Sequence, residues 1–299
     1  MRRTLSAVII CFCFLSLSNA SGAADIERIA KGLQFPEGTI FVGNDLYFVD
    51  YSASDVLRLD HGKVKTVWHQ DGCGANGLVQ VQNALLVACF DSGTVVKISL
   101  DGKQLKTIRK DGAGTSFTAP NDFAADAKGG VYFTTSGSDG TDMGKVFYLS
   151  SDQTVREVAS GIHFANGIAV SPNGAVLYVA ETHASRLLSF AISGDGTLSE
   201  RHEFVKFVDV LKDSKQYVFH PDSMRIDRGG NLFVALYDGG GYLVLRPDGT
   251  LIKHVDLPAP HHTNLAIAPD GQSIIVTAVY DSPNGYVGEL YRLVNPVNE

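Results

Sequence analysis

The chain is poor in the residues and motifs that several common functions require. Its 299 residues hold 25 lysines and arginines against 32 aspartates and glutamates, a formal charge of −7. Without a basic cluster interleaved with aromatic residues, nucleic acid is a poor partner. The G-x-S-x-G elbow of many serine hydrolases and the H-E-x-x-H motif of zinc proteases are also missing. A serine hydrolase or a zinc protease is therefore disfavoured.

Long apolar runs are also scarce, and the only one lies near the N terminus. Two arginines precede an apolar stretch from Ala7 to Leu15, which small residues follow. This order is typical of a secretory signal peptide, and the stretch is too short to anchor the chain in a membrane. We expect residues 1–23 to be a signal peptide. Residues 24–299 would then form one secreted or periplasmic propeller domain without membrane attachment.

Short β-type runs bounded by turn residues are abundant. Six of them are rich in β-branched and aromatic residues and have the length of a strand. They lie at 46–49, 85–88, 131–134, 177–180, 232–235 and 274–277. Glycine, asparagine and aspartate flank these runs, and the chain has 31 glycines in all. Such flanks are typical of hairpin turns, so the fold is predicted to be all-β.

Six segments with a polar first residue recur at intervals of 39 to 56 residues. Their first residues are Glu37, Asn76, Asn121, Asn166, Asp222 and Asn264. A period of this length in an all-β chain is typical of a β-propeller. We predict a six-bladed β-propeller with four antiparallel strands per blade, in which each segment is an innermost strand. The last blade is one strand short, and residues 25–29 would close it from the N-terminal side.

Cysteine is scarce, with four in the whole chain. Cys11 and Cys13 fall in the expected signal peptide, which leaves Cys73 and Cys89. The predicted second blade puts both on one face, and an oxidising compartment permits a disulfide. A Cys73–Cys89 bridge and two unpaired cysteines both remain open.

The six polar first residues would meet at the central channel of the propeller. Glu37 and Asp222 offer carboxylates, and Asn121 and Asn166 offer amide oxygens. Oxygen ligands of this kind favour Ca²⁺, with Mg²⁺ or Mn²⁺ as substitutes, and Zn²⁺ is less suited without histidine or cysteine. A water-filled polar channel is the alternative, because buried polar groups need some partner.

These segments and their flanks resemble the senescence-marker-protein/gluconolactonase/LRE-like family. The similar stretches are 35–38, 120–122 with Asp126, 165–169, and 221–224 with Asp227 and 229–235. The resemblance implies a six-bladed propeller that holds a catalytic Ca²⁺ or a related divalent ion and, in many members, hydrolyses lactones. A related squid-type diisopropylfluorophosphatase cleaves phosphorus–fluorine bonds at a similar site.

The resemblance also implies roles for individual residues. Glu37, Asn166 and Asp222 would bind the metal, and Asn121 would bind the metal or the substrate beside it. Asp222 would act as general base or nucleophile. The chain departs from sugar-lactone members just before Asn121, where Thr118-Ala119-Pro120 stands in place of a frequent arginine. Ser223 also follows Asp222 in place of the usual glycine, so sugar lactones are less secure as substrates.

Further polar residues on the same face are weaker candidates. We expect His262 to contact the substrate, and Asp50 and Glu181 to support the ligands from behind. Other histidines near the mouth are His163, His183, His220 and His261.

Three functions are consistent with this site. The first is a divalent-metal-dependent hydrolase that opens small-molecule lactones or esters. The second is a non-catalytic propeller that binds a ligand or partner around a structural metal. The third is a phosphotriesterase similar to diisopropylfluorophosphatase. The full set of Glu37, Asn121, Asn166 and Asp222 favours the enzyme, because a structural metal would not need open coordination positions.

Overall fold

The computed structural model describes residues 26–138, 142–212 and 219–298, and the expected signal peptide lies outside these ranges. The described chain forms six four-stranded antiparallel sheets. This arrangement confirms the predicted six-bladed β-propeller.

Blades 1 to 5 each run from an innermost to an outermost strand in chain order, whereas blade 6 takes its outermost strand from the N-terminal side. Blade 1 consists of β2 (Pro36–Val42), β3 (Asp45–Asp50), β4 (Asp55–Asp60) and β5 (Lys63–His69). Blade 2 consists of β6 (Ala75–Val81), β7 (Ala84–Cys89), β8 (Thr94–Ser99) and β9 (Gln104–Ile108). Blade 3 consists of β10 (Pro120–Ala125), β11 (Val131–Ser138), β12 (Asp142–Leu149) and β13 (Val155–Ile162).

The second half of the ring repeats this order. Blade 4 consists of β14 (Ala165–Val170), β15 (Val176–Glu181), β16 (Arg186–Ile192) and β17 (Leu198–Lys206). Blade 5 consists of β18 (Pro221–Ile226), β19 (Leu232–Leu236), β20 (Gly241–Leu245) and β21 (Leu251–Asp256). Blade 6 consists of β22 (Leu265–Ile267), β23 (Ser273–Ser282), β24 (Gly285–Val294) and the N-terminal β1 (Glu27–Leu33).

The first and last strands of the described chain meet in blade 6, as the sequence predicts. Strand β1 pairs antiparallel with β24, with Glu27 opposite Arg292. Exposed ion pairs join the same strands, Arg28 to Glu289 at 2.8 Å and Arg292 to Glu27 at 3.1 Å. Exposed ion pairs contribute little to stability, so the ring closure depends mainly on backbone pairing and apolar packing. Strand β1 thereby covers the edge that β24 would otherwise expose.

The hydrophobic core is divided among the interfaces between adjacent blades. Six separate clusters of buried apolar residues are present, one for each interface. The cluster between blades 6 and 1 brings Ala30 and Leu290 against Phe48. Every blade is therefore held by apolar packing on both sides, which fixes where its innermost strand meets the axis.

Five of the six innermost strands carry a bulge where the polar segments begin. In β14, for example, Ala165 and Ile168 are three residues apart but face Glu181 and Val179, which are two apart. Strands β2, β6, β10 and β18 show the same shift. A bulge adds one unpaired residue and turns its neighbours away from the regular alternation. The bulges thus lie at the residues that the sequence analysis places at the axis.

Glycine after the polar residue allows neighbouring innermost strands to approach closely. A Cβ on Gly167 would lie 2.3 Å from the carbonyl oxygen of Asp222, and one on Gly77 would lie 2.3 Å from that of Asn121. No side chain fits at either position without movement of the next strand. In blade 5 the same position holds Ser223, which is buried.

The loops that lead into the innermost strands are fastened from behind. In blade 1, Asp50 accepts hydrogen bonds from the backbone of Gln34 (2.7 Å) and Phe35 (2.9 Å). In blade 4, the buried Glu181 accepts one from the backbone of His163 at 2.8 Å. Both carboxylates therefore lie behind the loop that precedes a predicted metal ligand.

Blade 2 uses a disulfide at the corresponding place. Cys89 ends β7 as Asp50 ends β3, and its sulfur is bonded to that of Cys73 in the loop before β6. Of the two possibilities left open by the sequence, the structure therefore has the bridge.

Helix is rare in the described chain. One 3-10 turn spans Thr182–Ala184 and one short helix, α1, spans Phe207–Val210. Among residues 26–138, 142–212 and 219–298, no helix has both the length and the apolar character needed to cross a membrane.

The Cys73–Cys89 bridge closes a loop with a sequence separation of 16, and its reduction should destabilise the fold. For a loop of this size we expect the free energy of unfolding to fall by about 3 kcal/mol. Urea denaturation with and without a phosphine reductant measures the difference. The double variant Cys73→Ala/Cys89→Ala is the control and should not respond to reductant; equal stability of oxidised and reduced wild type would contradict the prediction.

Candidate metal and catalytic site

One cavity opens at the end of the ring where the six polar segments begin. Its volume is about 390 Å³, within the range that small-molecule sites occupy. The lining residues are Phe35, Glu37, Tyr51, Asn76, Phe90, Asn121, Phe164, Asn166, Thr182, His183, His220, Asp222, Tyr237 and Asp238. All four predicted metal ligands, Glu37, Asn121, Asn166 and Asp222, are therefore on the wall of a single cavity.

Blades 1 to 5 each contribute one of the polar first residues to the floor of this cavity. All of these side chains are largely buried, with between 3% and 8% of their surface exposed. The amide of Asn121 donates to the hydroxyl of Ser136 at 3.0 Å, which leaves the amide oxygen of Asn121 for other partners. The sixth residue, Asn264, does not line the cavity. Its amide nitrogen donates to Glu37 Oε2 at 3.2 Å from below.

The two carboxylates of the floor are electrostatically unfavourable in this setting. Burial raises the pKa of Glu37, and the charges of Asp222 and Asp122 raise it further. Burial also raises the pKa of Asp222; a hydrogen bond from Asn166 opposes the shift, while the charges of Asp122 and Asp238 add to it. Desolvation and like charge both disfavour ionisation. A cation between the carboxylates would offset both effects.

The amide of Asn166 lacks one of the partners that a buried amide needs. Its oxygen, Oδ1, is buried, and no donor among the described residues reaches it. An unpaired buried acceptor costs on the order of 1–3 kcal/mol. Since the side chain of Asn166 also lies near enough to Asp222 to lower the pKa of that carboxyl, the unpaired oxygen belongs to the same group as the carboxylates. A cation that binds Asp222 would therefore also satisfy Asn166.

A second polar layer lies beneath the floor. Asp122 accepts hydrogen bonds from Ser223 at 2.5 Å and from the guanidinium of Arg225 at 3.0 Å. Arg225 also donates to Asn264 at 3.2 Å. Together with Glu37 and Asp222, this group has three carboxylates and one guanidinium, a formal charge of −2 when all are ionised.

The donor set therefore fits a divalent cation. It offers carboxylate and amide oxygens, an unpaired buried acceptor and a formal charge of the right sign and size, which suits Ca²⁺ best. In the described part of the chain, no group of three or more His, Cys, Asp or Glu side chains could hold a metal. The ligands would thus have to be the mixed carboxylate and amide set, and histidine- or cysteine-rich metal sites are disfavoured.

The position of His262 differs from the expectation of a substrate contact. Its side chain is fully buried and is not part of the cavity wall. Neither ring nitrogen has a partner in the described residues, and burial lowers the pKa of His262 to about 4. The residue lies behind the wall because its backbone follows the edge of blade 5, where its N–H donates to the carbonyl of Leu236 at 3.3 Å.

Other histidines occupy the wall instead. His183 and His220 both line the cavity, with ring centroids 6.4 Å apart. His220 shares a hydrogen bond with Asp238 at 2.6 Å, and His261 lies on the other side of the same carboxylate at 3.1 Å. The sequence placed these histidines near the mouth but gave no sign that Asp238 would join two of them.

The sequence analysis missed the aromatic part of the wall and the polar layer below it. Phe35, Tyr51, Phe90, Phe164 and Tyr237 each stand in a loop next to an innermost or second strand. A search for aromatics two residues outside the predicted runs and segments would have found them. Asp122 follows Asn121 by one position, and Arg225 follows Asp222 by three. Inspection of the residues just after each polar first residue would therefore have found both.

The comparisons with known proteins agree with the fold and identify the family. The family profile described as "SMP-30/Gluconolactonase/LRE-like region" matches residues 35–280. A pentonolactonase, XacC from Haloferax volcanii, is 29% identical over 82% of this chain and 80% of its own. The lactonase drp35 of Staphylococcus aureus is 34% identical over 78% of this chain and 72% of its own.

Solved structures show the same propeller. A gluconolactonase from Xanthomonas campestris superposes with a TM-score of 0.74 at 23% identity, covering 91% of this chain and 90% of that one. A calcium-binding protein, regucalcin from Agrobacterium tumefaciens, superposes with a TM-score of 0.69 at 17% identity, covering 89% and 92%. At these identities the likeness concerns the fold.

The buried, neutral His262 should make the fold sensitive to acid. Its pKa is about 4 in the folded chain and near 6.5 when exposed, so only the unfolded chain takes up the proton between those values. Stability then falls as the pH falls, by about 2 kcal/mol from pH 7 to pH 5. Urea denaturation of the wild type and of His262→Gln at both pH values isolates this contribution. An identical pH dependence in the two proteins would contradict it.

Proposed function

This chain belongs to the SMP-30/Gluconolactonase/LRE-like family, and we propose that it is a lactone-opening hydrolase that depends on a divalent cation, with Ca²⁺ favoured. The observation that carries the proposal is the convergence of Glu37, Asn121, Asn166 and Asp222 on one cavity, together with the unpaired, buried amide oxygen of Asn166. The names of its relatives, a pentonolactonase and a lactonase, support the reaction class.

Glu37, Asn166 and Asp222 would hold the cation, and Asn121 would bind it or the substrate beside it. When bound, the cation polarises the lactone carbonyl and stabilises the negative charge that develops on its oxygen. Glu37 is kept in place by the backbone N–H of Gly38 at 3.3 Å and by Asn264. This support fixes the carboxylate before the substrate arrives, so little reorganisation is needed during reaction.

Asp222 is the proposed general base. A water that attacks the lactone carbonyl must lose a proton, and Asp222 is the carboxylate that faces both the cavity and Asn166. Burial and the nearby charges of Asp122 and Asp238 act to raise its pKa, whereas a bound cation would act to lower it. After ring opening, the same proton can be passed to the leaving alkoxide, so the products are a hydroxy acid and the regenerated base.

We further propose that the mature enzyme acts outside the cytoplasm. The N-terminal pattern of a signal peptide supports this compartment, and so does the Cys73–Cys89 disulfide, since such bonds persist mainly in oxidising surroundings. Extracellular Ca²⁺-binding modules typically have dissociation constants of about 10⁻⁴–10⁻³ M, so a site of modest affinity would suffice there.

The reaction and its dependence on a cation are tested together by lactone hydrolysis. Acid release from a panel of γ- and δ-lactones is followed with a pH indicator before chelation, after chelation and after Ca²⁺ is restored. We expect activity to disappear with chelator and to return with Ca²⁺. Unchanged turnover in the chelated protein, with metal content verified by elemental analysis, would refute the cation dependence.

The role of Asp222 is tested by Asp222→Asn, which keeps the shape and removes the base. We expect kcat to fall by about 10²–10⁴, the usual contribution of a positioned base. Calorimetric titration with Ca²⁺ separates lost chemistry from lost ion binding. The exposed Asp209→Asn is the matched control and should behave as wild type. Full activity in folded Asp222→Asn would eliminate the proposed base.

A further inference from the structure

The cavity wall above the carboxylates is largely aromatic. Phe90, Tyr51, Phe35 and Tyr237 form a continuous arc, with successive ring centroids 6.0, 5.7 and 6.4 Å apart. These rings come from blades 2, 1 and 5, so residues far apart in sequence build one apolar surface. All four are half-buried, which leaves part of each ring facing the cavity.

The hydroxyls of the two tyrosines in this arc are engaged with protein groups. Tyr51 donates to Asp91 at 2.8 Å, and burial together with this carboxylate raises the pKa of Tyr51 to about 12. Burial also raises the pKa of Tyr237, whose hydroxyl interacts with Tyr286. Both phenols therefore stay neutral, and the rings contribute mainly apolar surface to the cavity.

Two further rings line the cavity outside this arc. Phe164 packs against the His183 ring at 4.8 Å, and both line the cavity. Phe164 has a φ of 61°, a left-handed conformation that costs a bulky residue of order 1 kcal/mol. Such strain persists only where the surrounding structure enforces it. Here the strained residue is the one that places its phenyl ring on the cavity wall.

Most polar side chains on the wall already have protein partners. Thr182 donates to the carbonyl of Pro221 at 2.7 Å, Asn121 donates to Ser136, and His220 is bonded to Asp238. Among the described residues, the lining includes no arginine, lysine or glutamine. A polyhydroxylated substrate would leave several hydroxyls against ring faces, where each unpaired group is costly.

We propose that the substrates of this site are lactones with an aromatic or similarly flat apolar substituent, rather than sugar lactones. The inference rests on the proposed lactonase function and adds the substrate class. A benzene ring occupies a cavity of about 150 Å³, so 390 Å³ accommodates a phenyl group and a lactone ring. The lactone carbonyl faces the oxygen ligands, while the substituent packs between the Phe90–Tyr237 arc and Phe164.

The direct test compares two five-membered lactones, γ-phenyl-γ-butyrolactone and D-ribono-1,4-lactone, with Ca²⁺ present. Each kcat/KM is divided by the uncatalysed hydrolysis rate of the same lactone, which removes differences in intrinsic reactivity. We expect the phenyl lactone to be preferred by at least about 100-fold. Equal use of both lactones, or preference for the sugar lactone, would overturn the inference while leaving the lactonase function intact.

A binding measurement separates failure of the inference from failure of the proposed function. 3-Phenylcyclopentanone replaces the ring oxygen of the phenyl lactone with a methylene, so it cannot be hydrolysed. Calorimetric titration should show it binding at least about tenfold more tightly than cyclopentanone. If neither lactone is hydrolysed but this preference holds, the hydrolase proposal fails and the aromatic site stands. No preference between the two ketones would overturn the inference.

Variants of the aromatic residues test whether the cavity wall causes the preference for the phenyl substituent. Tyr51→Ala should weaken binding of 3-phenylcyclopentanone and lower kcat/KM for the phenyl lactone, each by about tenfold, and Tyr51→Phe, which keeps the ring, should restore both. Phe90→Ala provides a second site if Tyr51→Ala does not fold. The control Leu105→Ala changes an exposed residue of β9 and should match wild type. Wild-type values in folded Tyr51→Ala and Phe90→Ala would contradict the proposal.

Discussion

One constraint dominates this structure: several carboxylates are buried close together at the axis of a closed ring. Glu37 and Asp222 come from blades 1 and 5, and Asp122 adds a third carboxylate below them. Arg225 offsets part of this charge through its contact with Asp122. The remaining negative charge and the unpaired oxygen of Asn166 are the features on which the proposed divalent cation rests.

The fold tolerates this buried charge because packing between the blades and the attachment of the loops keep the innermost strands in place. Six apolar clusters lock neighbouring blades together, and strand β1 closes the ring beside β24. Behind the cavity floor, Asp50, Glu181 and the Cys73–Cys89 bridge fasten three of the loops that lead into the innermost strands. The polar floor is therefore positioned by packing and loop attachment, and its residues need not find their places when a ligand binds.

Much of this arrangement could be predicted from the sequence because it repeats. The period of the polar segments indicated six blades, and the missing fourth strand of blade 6 indicated closure by the N terminus; both are confirmed. The four predicted ligands also proved to share a cavity, because a propeller brings every innermost strand to one axis. Their roles as ligands, and that of Asp222 as base, stay predictions.

Features that depend on contacts between blades could not be predicted in this way. His262 lies two residues before Asn264, yet it is buried behind the wall, since sequence spacing does not define the side on which a loop side chain packs. The aromatic arc joins Phe90, Tyr51, Phe35 and Tyr237 across three blades, and no local pattern links them. The same holds for the contact of Ser223 with Asp122, which joins the innermost strands of two non-adjacent blades, 5 and 3.

The central claim is that Glu37, Asn166 and Asp222 bind one cation together. Crystals of the mature protein grown with Mn²⁺ in place of Ca²⁺ allow the ion to be located by its anomalous scattering. We predict a single strong peak at the cavity floor, within about 2.6 Å of oxygens from all three residues. A peak elsewhere, or an empty floor in crystals of protein saturated with Mn²⁺, would contradict the account.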